Sequence, residues 1–170
     1  RIPKYDYATP NSYFVTICTH QRQCIFGTVE QLNGFGQIAK ELLVRIPQHF
    51  PNASVDKYVI MPNHIHAIIT LHAVSPDIQK DLSVILGQYK AAVSQRLHKV
   101  FPNKTVWQKS FYDNVIRSEK GYQAAWRYIT KILYVGISTE DYRYRIRPRM
   151  FDIFTSYRGT VITVPYIKGT

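Results

Sequence analysis

His64 and His66 flank a single isoleucine within the run Tyr58-Val-Ile-Met-Pro-Asn-His-Ile-His-Ala-Ile-Ile-Thr-Leu71. Successive strand residues point to opposite faces, so a strand here puts both imidazoles on one side and Ile65 on the other. Two imidazoles side by side can grip one metal ion, although two ligands rarely hold it without a third. The same pattern fits a half-exposed strand whose histidines are solvated or hydrogen-bonded. Tyr128 is a second group capable of chemistry. Between Ser118 and Leu133 the residues Tyr122, Ala125, Trp126, Ile129, Ile132 and Leu133 make one apolar helical stripe, and Tyr128 lies about 100° from its centre. A phenol at that border of core and solvent can reach across to a sheet beneath the helix, or simply keep its tip in water. Beside a metal site it becomes a candidate nucleophile.

The elements that must position these groups are marked by composition. Pro62 and Asn63 form a turn after a strand over Val55 to Met61, so a tight hairpin delivers the histidines to the start of a second strand, His64 to Leu71, near a sheet rim. Tyr13 to Thr19 is aromatic and β-branched, which suits another strand. Ile38, Leu42, Leu43 and Ile46 recur at helical spacing over Gln37 to His49. A further helix is expected from about Ile78 to Val100, with a break near Gly87, and it carries Lys80, Lys90, Arg96, His98 and Lys99. Val106 to Ile116 is partly extended, and Ser118 with Glu119 opens the tyrosine-bearing helix. This order of strand, helix, strand, strand, helix, strand, helix predicts an α+β domain with a mostly antiparallel sheet and helices packed on it.

Other polar residues carry less weight. His20 and His72, near strand ends, could approach the same region but fit surface imidazoles better, and Asp113 and Asn114 fit hydrogen-bonding turn residues better than groups that support the histidine pair. Tyr122 and Tyr134 are weaker substitutes for Tyr128. Cys18 and Cys24 are too few and too loosely spaced for a disulfide framework or a four-ligand zinc site, which favours a reducing, cytoplasmic compartment.

With 170 residues, 45% hydrophobic and 19% charged, the chain suits one folded domain. A net charge of +11 calls for a polyanionic partner, nucleic acid or an acidic membrane surface. No apolar stretch is long enough to span a bilayer, and no signal peptide shows, although Arg1 is not an initiator methionine. Thirteen tyrosines offer stacking surfaces for unpaired bases. Tyr142-Arg-Tyr-Arg-Ile-Arg-Pro-Arg149 sets Arg143, Arg145, Arg147 and Arg149 at alternate positions, so an extended backbone aligns them for phosphate contact. A solvated basic edge strand is the plainer reading. Lys90 and Arg117 complete the candidate DNA contacts. Residues 137–170 read as a basic C-terminal extension, expected to pack on the same domain, and the sequence assigns no role to 151–170.

In order and spacing, the pieces Asn11-Ser-Tyr-Phe-Val-Thr-Ile-Cys-Thr19, Phe26-Gly27, Val59-Ile-Met-Pro-Asn-His-Ile-His66, Trp107-Gln108, Phe111-Tyr-Asp-Asn-Val-Ile-Arg117 and Tyr128-Ile129 resemble the REP-associated tyrosine transposases. These belong to the IS200-like, single-tyrosine HUH transposases, and the likeness spans roughly residues 4 to 133. It implies a ferredoxin-like antiparallel sheet with flanking helices over residues 1–136. It further implies metal-dependent cleavage and rejoining of single-stranded or hairpin DNA by a monomer or homodimer. His64 and His66 would hold Mg²⁺ or Mn²⁺, and Tyr128 would form a 5′-phosphotyrosine. The family usually places an amide four residues after the tyrosine to complete the metal site, whereas this chain has Ile132. An aliphatic group cannot ligate a hard cation. The alternative is therefore a catalytically degenerate binder of hairpin or single-stranded DNA. A nucleotide hydrolase of the His-x-His-x-His type is disfavoured, because residue 68 is isoleucine.

Overall fold

The computed structural model describes residues 5–135. Four strands, β1 (Asn11–Cys18), β2 (Ala53–Met61), β3 (His64–Leu71) and β4 (Tyr112–Ile116), form one sheet in the order β2-β3-β1-β4. Every neighbouring pair is antiparallel. Helices α1 (Gly34–Val44), α2 (Ile46–His49), α3 (Leu82–His98) and α4 (Glu119–Val135) join or follow the strands. The resulting β-α-β-β-α-β order with an added terminal helix is the ferredoxin-like α+β architecture expected from the sequence. The arginine-rich run and the rest of residues 137–170 lie outside the described residues.

Alternation along the strands gives the sheet two different faces. Tyr13, Val15 and Ile17 of β1 meet Ile65, Ala67 and Ile69 of β3 in a core closed by Ala39 and Leu43 of α1 and by Leu82, Ile85, Leu86 and Val93 of α3. The opposite face carries Phe14, Thr16 and Cys18 beside Ile68, His66 and His64. Helix α4 lies over this second face and buries Ala125, Ile129 and Ile132.

Several element ends differ from the expectation, each for a local reason. The helix expected over Gln37 to His49 divides at Arg45, because Pro47 lacks an N–H and its ring obstructs the carbonyl one turn back. Helix α3 starts at Leu82, since the Asp81 carboxylate accepts from Val84 N at 2.9 Å and caps it there. It runs unbroken through Gly87. Asp113 and Asn114 belong to strand β4 rather than to a turn. Leu133, expected in the buried stripe, is 42% exposed because the end of α4 reaches the outer strand β2, where Leu133 faces a groove shared with Val29 and Leu32. Among the described residues no helix is long and apolar enough to cross a membrane.

Two glycines test this packing in opposite directions. A Cβ at Gly87 meets nothing within 4 Å, whereas one at Gly36 would lie 2.2 Å from the Phe26 carbonyl oxygen. Gly87→Ala should raise the unfolding free energy by about 0.5–1 kcal/mol in urea titrations. Gly36→Ala should lower it, and stabilisation by both would contradict the placement of α1 against the Phe26 loop.

Candidate active site

The histidine pair sits where three strands and a turn converge. Thr16 pairs with His66 and Cys18 with His64 across β1–β3, while Val59 and Met61 flank the same histidines from β2. The Pro62–Asn63 turn is pinned from outside. Thr19 N and Thr19 Oγ1 both donate to the Asn63 carbonyl, at 3.0 and 2.9 Å, and Ile25 N donates to the Pro62 carbonyl at 2.9 Å.

His64 Nδ1 lies 2.6 Å from Asn63 Oδ1, an acceptor, so the imidazole donates there and leaves a lone pair on Nε2. His66 Nδ1 lies 2.8 Å from the Thr16 hydroxyl, which can donate or accept. The two Nε2 atoms converge to 3.1 Å. Adjacent ligands of an octahedral ion with bonds of about 2.1 Å stand about 3 Å apart, so the pair matches two neighbouring coordination positions. When Thr16 accepts, both Nε2 atoms present lone pairs to the same point. Both rings are nearly inaccessible to solvent. Burial, reinforced by the Arg22 guanidinium, pulls His64 down from 6.5 to about 4. Burial, reinforced by His64, holds His66 well below the ordinary histidine range. Near neutral pH both are therefore uncharged, as ligation requires.

Tyr128 reaches this pair from α4. Its ring centroid is 5.5 Å from that of His66 at 71°, and 5.9 Å from that of Phe14 at 69°. The half-buried phenol thus stands edge-on beside the second histidine. Ile132, one turn along, is buried and offers no ligand. Among the described residues, no group of three or more His, Cys, Asp or Glu side chains could hold a metal.

The remaining candidates are dispersed. Lys90 Nζ donates to the carbonyls of Gln108 and Ser110 at 2.6 and 3.2 Å, bracing the loop that leads into β4. Arg117 is exposed at the β4–α4 junction. Tyr122 donates to Asp56 at 3.0 Å, and Tyr134 is 82% exposed. His72 meets Ser54 Oγ at 3.1 Å, away from the pair. Asp113 accepts from Tyr7 at 2.6 Å, and its pairing with Val15 places it on the opposite face of the sheet. Sequence reasoning missed Thr16 and Arg22. Thr16 could have been found only through the β1–β3 register, and Arg22 through the left-handed backbone at Gln21 and Arg22, φ 49° and 55°, which curls the chain after β1.

The depressed His64 value has a measurable consequence. Unfolded, its imidazole titrates near 6.5, and folded near 4, so the unfolded chain takes up the proton first as pH falls. This contribution is complete above 6.5 and fades toward 4. In the presence of EDTA, unfolding free energy should drop by about 2 kcal/mol from pH 7 to pH 5 through His64 alone. Chemical denaturation of a His64→Gln/His66→Gln variant should show a much flatter profile. An equally steep one would mean that the imidazoles are not held neutral.

Comparison with known proteins shows the family to which this fold belongs. Residues 10–131 match the family model described as transposase IS200 like. An uncharacterized protein of Haemophilus influenzae is 31% identical over 150 residues, covering 76% of this chain and 83% of its own. The structure of a REP-associated tyrosine transposase bound to a REP hairpin superposes with a TM-score of 0.58 at 17% identity, over 99% of each chain. A putative transposase from Deinococcus radiodurans R1 superposes with a TM-score of 0.50 at 17% identity, over 77% of this chain and 95% of its own. With the family match extending from β1 into the helix that bears Tyr128, the chain belongs to the IS200-like transposase family.

Proposed function

We propose that this transposase-family protein cleaves single-stranded DNA at hairpin-forming repeats and transfers the cut strand through a 5′-phosphotyrosine at Tyr128. The observation that carries this reading is the Tyr128 ring 5.5 Å from His66, beside two imidazole nitrogens 3.1 Å apart. His64 and His66 would hold Mg²⁺ or Mn²⁺. The other positions would fall to water and phosphate oxygens, since hard divalent ions keep waters and bind through substrate phosphates. Such an ion, when bound, would neutralise charge building on the scissile phosphate.

The chain's own residues supply the remaining steps. The Tyr128 oxygen attacks phosphorus and passes its proton to water, and the bond from phosphorus to the 3′ oxygen breaks. That oxygen leaves as a hydroxyl after taking up a proton. The reaction exchanges one phosphodiester for another, so a second DNA 3′ hydroxyl can reverse it at a new junction. Phe14 packs against both Tyr128 and His66 and fixes the spacing of their rings. Asn63 and Thr16 orient the imidazoles. A hairpin partner is supported by the net charge of +11 and by the relative solved with a REP hairpin. Arg143, Arg145, Arg147 and Arg149, with Arg117, would contact phosphates; Lys90 would do so only by giving up its loop carbonyls. The two cysteines suit a reducing cytoplasm.

Buried Ile132 favours a second reading, a hairpin-binding protein that no longer cuts. The two diverge on a denaturing gel. Wild-type protein incubated with a labelled hairpin and Mn²⁺ or Mg²⁺ should yield a covalent adduct that Tyr128→Phe abolishes while hairpin affinity stays within about twofold. Salt-sensitive binding without any adduct would establish the binder instead. Thr16→Val should weaken Mn²⁺ binding by roughly ten- to a hundredfold in calorimetric titration, because it removes the hydroxyl that orients His66. Unchanged affinity would remove Thr16 from the metal's support.

A further inference from the structure

The reactive placement proposed for Tyr128 depends on how α4 is rolled about its own axis, and the buried residues of α4 say little about that. Ala125, Ile129 and Ile132 make apolar contacts, which are non-directional. A roll of about 20° would carry a side-chain tip 5–6 Å from the helix axis by roughly 2 Å. Displacements of about 1 Å already cost large factors in rate. Some directional contact must set the roll.

That contact originates in an irregularity of β2. Val55 pairs with Ile69 and Lys57 with Ile68, so Asp56 is an extra residue in a β-bulge. In a regular strand Asp56 and Lys57 would face opposite sides of the sheet. The bulge lets both reach α4. Asp56 Oδ2 accepts from the Tyr122 hydroxyl at 3.0 Å and from Thr70 Oγ1 at 2.5 Å, while Oδ1 accepts from Ser54 Oγ at 2.7 Å. Lys57 Nζ sits 4.7 Å from the centre of the Trp126 ring. Tyr122 and Trp126 are one turn apart and stack on each other with centroids 6.1 Å apart. At 100° per residue they lie on one flank of the buried stripe and Tyr128 on the other. Gripping one flank therefore fixes the other.

We infer that the Asp56–Lys57 bulge is a clamp on Tyr122 and Trp126 that sets the roll of α4, making Asp56 and Tyr122 positioning residues for Tyr128. The inference rests on the transposase reading above only for its effect on rate; the clamp itself is a property of the fold. Burial and the Asp56 carboxylate push the Tyr122 phenol up to about 12, so it remains a hydrogen-bond donor over the working pH range. The same bulge also sets the register that follows, bringing Val59 and Met61 beside His66 and His64.

The test uses the full chain with Tyr122→Phe, Asp56→Asn and the double substitution, and reads three quantities. These are hydrogen exchange across residues 122–132 and across the sheet, affinity for a DNA hairpin, and single-turnover adduct formation with Mn²⁺. The expected result is faster exchange in α4 with the β1–β3 ladder unchanged. Adduct formation should slow about tenfold or more at a hairpin affinity within twofold of wild type, and the double substitution should do no more than either single one. Unaltered adduct rates, multiplying effects, or equal loosening of the sheet would overturn it. Should wild-type protein form no adduct, the transposase reading fails and exchange alone decides the clamp: selective loosening of α4 supports it, and unchanged protection refutes it.

Discussion

The ladder between β1 and β3 sets Thr16 opposite His66 and Cys18 opposite His64, and a slip of β3 by one residue would turn both histidines into the core beneath the helices. The slip is prevented by the other face. Ile65, Ala67 and Ile69 are fully buried against α1 and α3, and exposing them would cost several kcal/mol of apolar burial. The site's geometry is thus set by residues that take no part in its chemistry. It is completed at the rim, where Thr19 ties the end of β1 to the Pro62–Asn63 turn.

Electrostatics follow from the same placement. In a chain of net charge +11, the two imidazoles are kept neutral by burial, with Arg22 beside His64 adding to the effect. Neutral imidazoles beside a guanidinium suit the approach of a phosphate that the proposed function requires. Lys90, which the sequence offers as a DNA contact, is half-buried and spends its donors on the loop before β4.

Much of this arrangement was legible beforehand because its signals are local. Strand β3 begins at His64 as the turn chemistry of Pro62 and Asn63 indicates, and the stripe of α4 leaves Tyr128 at the border of the buried face. Element ends depart from these local signals where a tertiary or capping effect intervenes. Asp81 fixes the start of α3, Pro47 divides the helix before β2, and Leu133 overruns the sheet edge. The partners of the histidines were not legible at all. Thr16 is about fifty residues from His66 in the chain, and nothing in its own neighbourhood distinguishes it from the other threonines of the sheet.

By itself the sequence determined which face of β3 the histidines share, which flank of α4 bears the tyrosine, and that Ile132 cannot serve as a ligand. Those conclusions follow from the periods of strand and helix, which each segment carries internally. Only the tertiary structure decided that the two Nε2 atoms meet at 3.1 Å, that Thr16 and Asn63 orient them, and that a bulge at Asp56 grips the helix above. Those relations join segments through strand register and helix roll, and both are settled by packing between elements rather than by the composition of either one.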